Sequence, residues 1–250
     1  MFNFIKEVYY VSWGDIKFMR HNVLNIAIQS FMSPLLYLLV FGIGLQNNTD
    51  LGNGVPYIAF LIPGIAAMAS LNTPFGAIST RLNVQRLYYR SLDEMLMCPV
   101  SIYAIVIGKC AQGMIRGLIS VCIIFAIGFA VTANLYVTPL LVISTLLSCF
   151  TFSFLGVAAA LISKSHQTMA TFSTLVITPM SFLGGTFFSL DKLPEVFQAI
   201  LYVLPVTHSS AMMRASSIGW DFPWASLVVL ACFCVAFFAI DIYLVKKKRV

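Results

Sequence analysis

Charge is what this sequence has least of. Of 250 residues, 60% are hydrophobic and 10% charged, with a mean hydropathy of +0.92. An ordinary soluble domain is about 45–50% apolar and about 25% charged. A chain so poor in charge cannot cover a globular surface with polar groups, which excludes a soluble enzyme or a disordered protein. Its apolar runs are continuous rather than alternating, which excludes an outer-membrane barrel. The G-x-x-x-x-G-K-[ST] motif is also absent: Gly108-Lys109 lacks the earlier glycine and is followed by Cys110. Without a phosphate-cradling loop no ATP site is expected on this chain. There is no H-E-x-x-H, no G-x-S-x-G and no pair of carboxylates within an apolar run. The three histidines, His21, His166 and His208, lie far apart, so no metal site is expected. Energy for uphill transport would have to come from an ion gradient or a partner protein.

Acidic residues number nine against fifteen Lys and Arg, a net charge of +6. On a soluble chain that balance would suggest nucleic acid. Here the basic residues are expected to face anionic lipid headgroups, with no nucleic-acid partner. The six cysteines fall in apolar segments or a predicted cytoplasmic loop, so no disulfide framework is implied. Cys232 and Cys234 read as small apolar residues rather than ligands.

What is present is a series of apolar runs of spanning length, about 20 residues each. The fold class is therefore all-α, a polytopic membrane protein forming one transmembrane domain over residues 1–250. Six spans are predicted, at 23–45, 57–78, 102–131, 139–162, 169–190 and 223–245. Residues 1–22 form a predicted amphipathic helix in the interface plane, because Phe2, Ile5, Tyr9, Trp13 and Ile16 recur at helical spacing. It lacks the basic start and cleavage site of a signal peptide.

Eleven Lys and Arg fall on one side of this topology and two on the other, leaving out Lys109 and Arg116 within span three. The bias places both termini in the cytoplasm and the protein in the cytoplasmic (inner) membrane. The cytoplasmic loop 80–101 can form a short amphipathic helix, ended by Pro99. The external loop 191–222 is too apolar for water: Val196, Phe197, Ile200, Leu201, Val203 and Leu204 crowd it. It reads as one or two short re-entrant helices between spans five and six, broken at Pro205.

Span three, at 1.5 Å per residue, is about 45 Å long and exceeds the roughly 30 Å hydrocarbon core. Lys109 and Arg116 lie seven residues apart, nearly on one face, with Gln112 and Gly113 between them. They read either as a polar seam or as rim cations snorkelling to headgroups. Gly113 and Gly117 make a G-x-x-x-G that permits close helix packing. Asp241, in span six, is the lone acid within a span. It reads either as a salt-bridge partner for Arg116, Lys109 or the adjacent lysines, or as a proton-relay acid of an ion-coupled transporter. Pro34, Pro63, Pro74, Pro139 and Pro179 mark kinks or hinges. Phe31, Phe41, Phe60, Phe75, Phe172, Phe182 and Phe187 could line an apolar pathway or simply pack the core or meet lipid.

Two blocks of sequence carry a resemblance. One is Glu94-Met-Leu-Met-Cys-Pro99-Val-Ser101, followed by Ile-Val-Ile-Gly108-Lys109 and Gly113-Met-Ile-Arg116-Gly117. The other is Leu175-Val-Ile-Thr-Pro179-Met-Ser-Phe-Leu-Gly184-Gly185, then Phe188-Ser-Leu-Asp191-Lys-Leu-Pro194, then Leu204-Pro205-Val-Thr-His208 to Arg214. Together they resemble the permeases of ABC type-2 exporters for lipo-oligosaccharides, polysaccharides and drugs, over essentially the whole chain. The resemblance implies a membrane subunit that is not itself an enzyme. It would pair with a second copy of itself or a related permease and with two copies of an ABC ATPase subunit, which would carry the ATP and magnesium. ATPase coupling would fall to residues 1–22 and to Arg86, Arg90, Leu92, Asp93, Glu94, Met95 and Pro99, with Leu92 and Met95 entering a groove on the ATPase. Asp191, Pro194, Pro205, His208 and Arg214 would lie near an external gate. The substrate would pass along spans one, two and five.

Overall fold

The computed structural model describes residues 2–37, 39–40, 56–131, 135–187 and 194–249, less the side chains at 2, 3, 29–31, 33, 34 and 249. Phe41 and Asp191 lie outside the described residues, as does the side chain of Phe31. Among the described residues there are helices and no strands.

The helices are α1 (Phe2–His21), α2 (Val23–Tyr37), α3 (Tyr57–Leu87), α4 (Ser91–Met97), α5 (Ile102–Val131) and α6 (Pro139–Ile162). Then follow α7 (His166–Phe172), a π-helical turn (Ser173–Ile177) and α8 (Thr178–Leu183). Last come α9 (Glu195–Tyr202), α10 (Pro205–Ile218) and α11 (Trp224–Arg249). Four of them, α3, α5, α6 and α11, are long and apolar enough to cross a membrane; α9 and α10, bent by 95° where the chain breaks between them, could form a fifth crossing. The six-span expectation is thus met by four or five candidates. The first expected span is represented by the fifteen residues of α2, and the fifth by the interrupted run from α7 to α8.

α3 is the central helix, with 83% of its most apolar window buried against 17% for α11. It runs unbroken through Pro63 and Pro74 to Leu87, well past the expected end of the second span at 78. Arg81 and Arg86 therefore sit on the last turns of α3 rather than in a loop. Close approach to α3 rests on the glycines of α5. A Cβ on Gly117 would come within 2.5 Å of Pro74 Cγ and 2.9 Å of Cys149 Sγ, and one on Gly113 would strike Ile78. Small residues at helix crossings are how membrane helices pack without a hydrophobic drive between them. α6 starts on a cap: Thr138 Oγ1 accepts from the Leu141 amide at 3.2 Å, and Pro139 occupies the first turn, where a missing N–H costs nothing.

α1 lies on α5. Val11, Ser12, Asp15 and Met19 are buried, at the 3–4-residue spacing of one helix face. The other face leaves Ile5, Tyr9, Tyr10 and Trp13 exposed, the amphipathic composition of an interfacial helix. Gly108 lets α1 approach, since a Cβ there would meet Val11 Cγ1 at 2.7 Å.

Candidate functional site

The polar residues of α1, α3 and α5 meet at Asp15. Lys109 Nζ donates to Asp15 Oδ2 at 2.9 Å and to Gln85 Oε1 at 2.8 Å. Arg81 Nε donates to Asp15 Oδ1 at 2.5 Å, and Gln85 Nε2 to the same oxygen at 2.9 Å. The Arg81 guanidinium also covers the Phe18 ring, 3.9 Å from its centroid. Burial would push the Asp15 carboxyl up. The Lys109 charge, with hydrogen bonds from Arg81 and Lys109, outweighs it and holds the group below its ordinary range. At the other end of α1, Glu7 Oε2 accepts from the Ser101 amide at 3.0 Å. That bond holds its carboxyl low and places a negative charge at the start of α5, where the helix dipole favours it.

The segment expected to couple to an ATPase divides in two. Leu92 and Leu96 of α4 are buried in the same apolar cluster as Leu82, Ile105 and Val245, and Met95 packs against that cluster. α4 is amphipathic: Leu92, expected to enter a partner's groove, turns into its own bundle, while Met95 stays half-buried at the edge of the cluster. Arg86 also turns towards the bundle and is half-buried. Its guanidinium donates to the carbonyls of Ala160 at 2.6 Å, Leu161 at 2.5 Å, and Ser163, capping the end of α6. What α4 and its flanks leave exposed are Arg90, Asp93, Glu94, Cys98 and Pro99, with Tyr88, Tyr89 and Met97 at 69%, 72% and 88%. Arg90 sits between α3 and α4 at φ 53°, a left-handed backbone rarely adopted by a residue with a side chain. Tyr88 stacks on His166 at 5.2 Å.

A cavity of about 910 Å³ opens between α2, α3 and α5. Arg116 faces it, with Gln112 one turn earlier on α5 and Asn72 and Thr73 on α3. Lys109, Gly113, Arg116 and Gly117 do share one helix, as the expected seam requires, but Lys109 is paired with Asp15 and Asp241 is elsewhere. Asp241 is fully buried, near Cys110, and neither carboxylate oxygen has a hydrogen-bond partner among the described residues. None of the described phenylalanines expected on the pathway lines this cavity. Phe60 lies beneath the Arg214 guanidinium, 3.7 Å from centroid to Cζ, and Phe75 stacks on Phe172 in the core. Phe182 and Phe187 stack on each other and contact Tyr37.

At the opposite end, α9 and α10 hold the residues expected near an external gate. Pro194 precedes α9, and Pro205 opens α10, its fixed φ suited to a first turn. His208 is buried, its Nδ1 3.1 Å from Ser226 Oγ on α11 and its Nε2 2.8 Å from the Tyr202 carbonyl. Arg214 donates to the carbonyls of Thr186 at 2.8 Å and Phe60 at 3.3 Å. Both side chains tie elements together.

Sequence reasoning missed Asp15, Gln85, Tyr88, Tyr89 and Met97. The signal for Asp15 was present: it lies one turn beyond Val11 and one turn before Met19, on the face opposite the aromatic stripe.

The family model described as ABC-2 type transporter matches residues 6–217. "Inner membrane transport permease YadH" of Escherichia coli (strain K12) is 26% identical over 240 residues, 92% of each chain. "Nodulation protein J" of Rhizobium meliloti (strain 1021) is 28% identical over 254 residues, 94% of each chain. The same-named protein of Rhizobium leguminosarum bv. viciae is 32% identical over 196 residues, 74% of this chain and 72% of its own length.

Proposed function

The chain belongs to the ABC-2 type transporter family, and from that premise we propose that it is the membrane-spanning permease subunit of an exporter driven by a separate ATPase. Two permeases, this chain with a second copy or a related one, would assemble with two ATPase subunits that carry ATP and magnesium. Both termini would lie in the cytoplasm of a cell whose inner membrane holds the six spans, bordered by lipid and with no nucleic acid bound. The re-entrant pair α9 and α10 would close the outer end. An amphipathic, lipid-linked, glycan or drug-like substrate would cross between the permeases.

The observation that carries the reading is the two-faced α4. Its inner face, Leu92 and Leu96, is locked into a cluster that includes residues of α3, α5, α6 and α11. Its outer face offers Asp93, Glu94 and Met97 beside Tyr88 and Tyr89. A push on the outer face must move the helices, because the inner side chains have no free volume to slip through. Closure of an ATPase pair beneath it could thus switch the spans between inward-facing and outward-facing states.

Affinity purification from native membranes tests this. A stoichiometric ATPase is expected in the eluate, with vanadate-sensitive hydrolysis. The Met97→Asp variant, and the pair Arg90→Glu with Glu94→Arg, should lose that partner or uncouple hydrolysis from transport while the bundle unfolds at the wild-type temperature. A permease that purifies without any ATPase and still transports would refute the reading. Asp241, which has no hydrogen-bond partner among the described residues, favours one second reading, an ion-coupled transporter in which Asp241 takes up a proton. Loss of transport in Asp241→Asn with the ATPase still bound would support it.

A further inference from the structure

The cavity between α2, α3 and α5 has a charge pattern that the permease reading leaves unused. No acid lines it among the described residues, while two arginines do. Arg81 is satisfied by Asp15. Arg116 makes no hydrogen bond and no ion pair among the described residues, and its Nε is buried without a partner. It lies seven residues, about 10 Å, further along α5 than Lys109, within a span. An intramembrane guanidinium without an acid is costly and marks a functional site by default. The cavity is also graded along α3. Ile65, Met68 and Ala69 line one end, and Asn72, Thr73 and Thr80 follow towards the helix C-terminus. From Ile65 to Gln85 the lining extends over about 30 Å of helix at 1.5 Å per residue. A volume of about 910 Å³ lies in the range of sites that bury a drug-sized ligand.

We propose that this cavity binds an amphiphile with an oxyanion head group, a phosphate or sulfate, held by Arg116 with Asn72 and Gln112, its apolar part lying towards Ile65 and Met68. A planar guanidinium suits such an oxyanion because it can donate two parallel hydrogen bonds. The side-chain amides of Asn72 and Gln112 can donate to the remaining oxygens without adding charge. The site names the substrate class of the transport reading and rests on that reading only for what moves the ligand; binding does not require it.

The test is equilibrium binding to the purified chain in a neutral maltoside detergent, with no ATPase present. The probes are dodecyl phosphate, dodecyl glucoside and inorganic phosphate. Dodecyl phosphate is expected to bind about one per chain and at least tenfold more tightly than dodecyl glucoside. Arg116→Gln should abolish that preference, and Arg116→Lys should restore part of it as a point charge without the fork. Gln112→Glu keeps Arg116 but gives it an acid one turn away, and should lose about tenfold in dodecyl phosphate affinity. That variant carries the test should Arg116→Gln not fold. Equal affinity for the phosphate and the glucoside, or wild-type preference in Gln112→Glu, would overturn the site. Inorganic phosphate competing as well as dodecyl phosphate would overturn the amphiphile and leave a free-anion site. Any of these failures leaves the permease reading standing, since that depends on the ATPase co-purification.

Discussion

Replacing Asp15 by Asn removes the charge on which α1, α3 and α5 converge. Lys109 is 5% exposed and Asp15 2%, so the pair is buried. Removing one partner of a buried pair costs about 3–5 kcal/mol, because a charge is left uncompensated. Two features argue for the lower end. Gln85 Oε1 still accepts from Lys109, and Arg81, 23% exposed, can turn to water. The expected loss is about 3 kcal/mol, or roughly 6–12 °C in unfolding temperature for a chain of this size. Lys109→Met leaves Asp15 with Arg81 and Gln85 and should cost only about 1–2 kcal/mol. The double variant has no buried charge to strand and should lose about 2 kcal/mol, well short of the sum. Trp13 is half-exposed on α1, so its fluorescence, in a background with Trp220 and Trp224 changed to Phe, reports whether α1 stays docked. Effects of the two substitutions that add within about 0.5 kcal/mol would refute the coupling. The sign with pH follows from the lowered Asp15 carboxyl. Its contribution is fully present above the ordinary value of 3.8 and fades as pH falls through the lower folded value. The wild type should therefore hold α1 at pH 5, and on stronger acidification it should lose more stability than Asp15→Asn, which keeps only the smaller Glu7 contribution.

Gly117→Leu should destabilise by about 3 kcal/mol or block assembly, since its first carbon already meets Pro74 and Cys149. Gly14→Ala, which meets nothing, should raise the unfolding temperature by a few degrees through about 1 kcal/mol of helix propensity. Arg86→Ala should cost about 2 kcal/mol by freeing two carbonyls of α6 and that of its cap Ser163, read as faster hydrogen exchange around Ser163. Asp241→Leu should keep or raise stability, because it replaces by an apolar side chain a buried acid without partners among the described residues. A sharp fall in unfolding temperature would show that a partner outside the described residues holds that carboxylate.

The membrane class and several helix bounds were legible because hydropathy is a running sum that needs no neighbours. Helices α5 and α6 begin and end where the sequence predicts, at 102–131 and 139–162. The end of α3 was not legible. Arginines at 81 and 86 look like a loop signal, yet Asp15 and the end of α6 satisfy them and the helix continues to Leu87. In the candidate site the same distinction recurs. Arg116 was singled out by its place on the same face of α5 as Lys109, and the cavity it faces took three helices to build.

The sequence by itself determined that this chain enters a membrane, which runs are helical, and which motifs tie it to its family, since each is a property of contiguous residues. Only the tertiary structure decided which charges meet. Lys109, for which the sequence offered Asp241 as a partner, is paired with Asp15 of α1. Leu92 and Arg86 had the solvent side available and turned inward. A helix offers several faces of nearly equal local free energy, and the face that turns inward is set by close packing with partners distant in sequence, such as Gly108 against Val11 and Gly117 against Pro74.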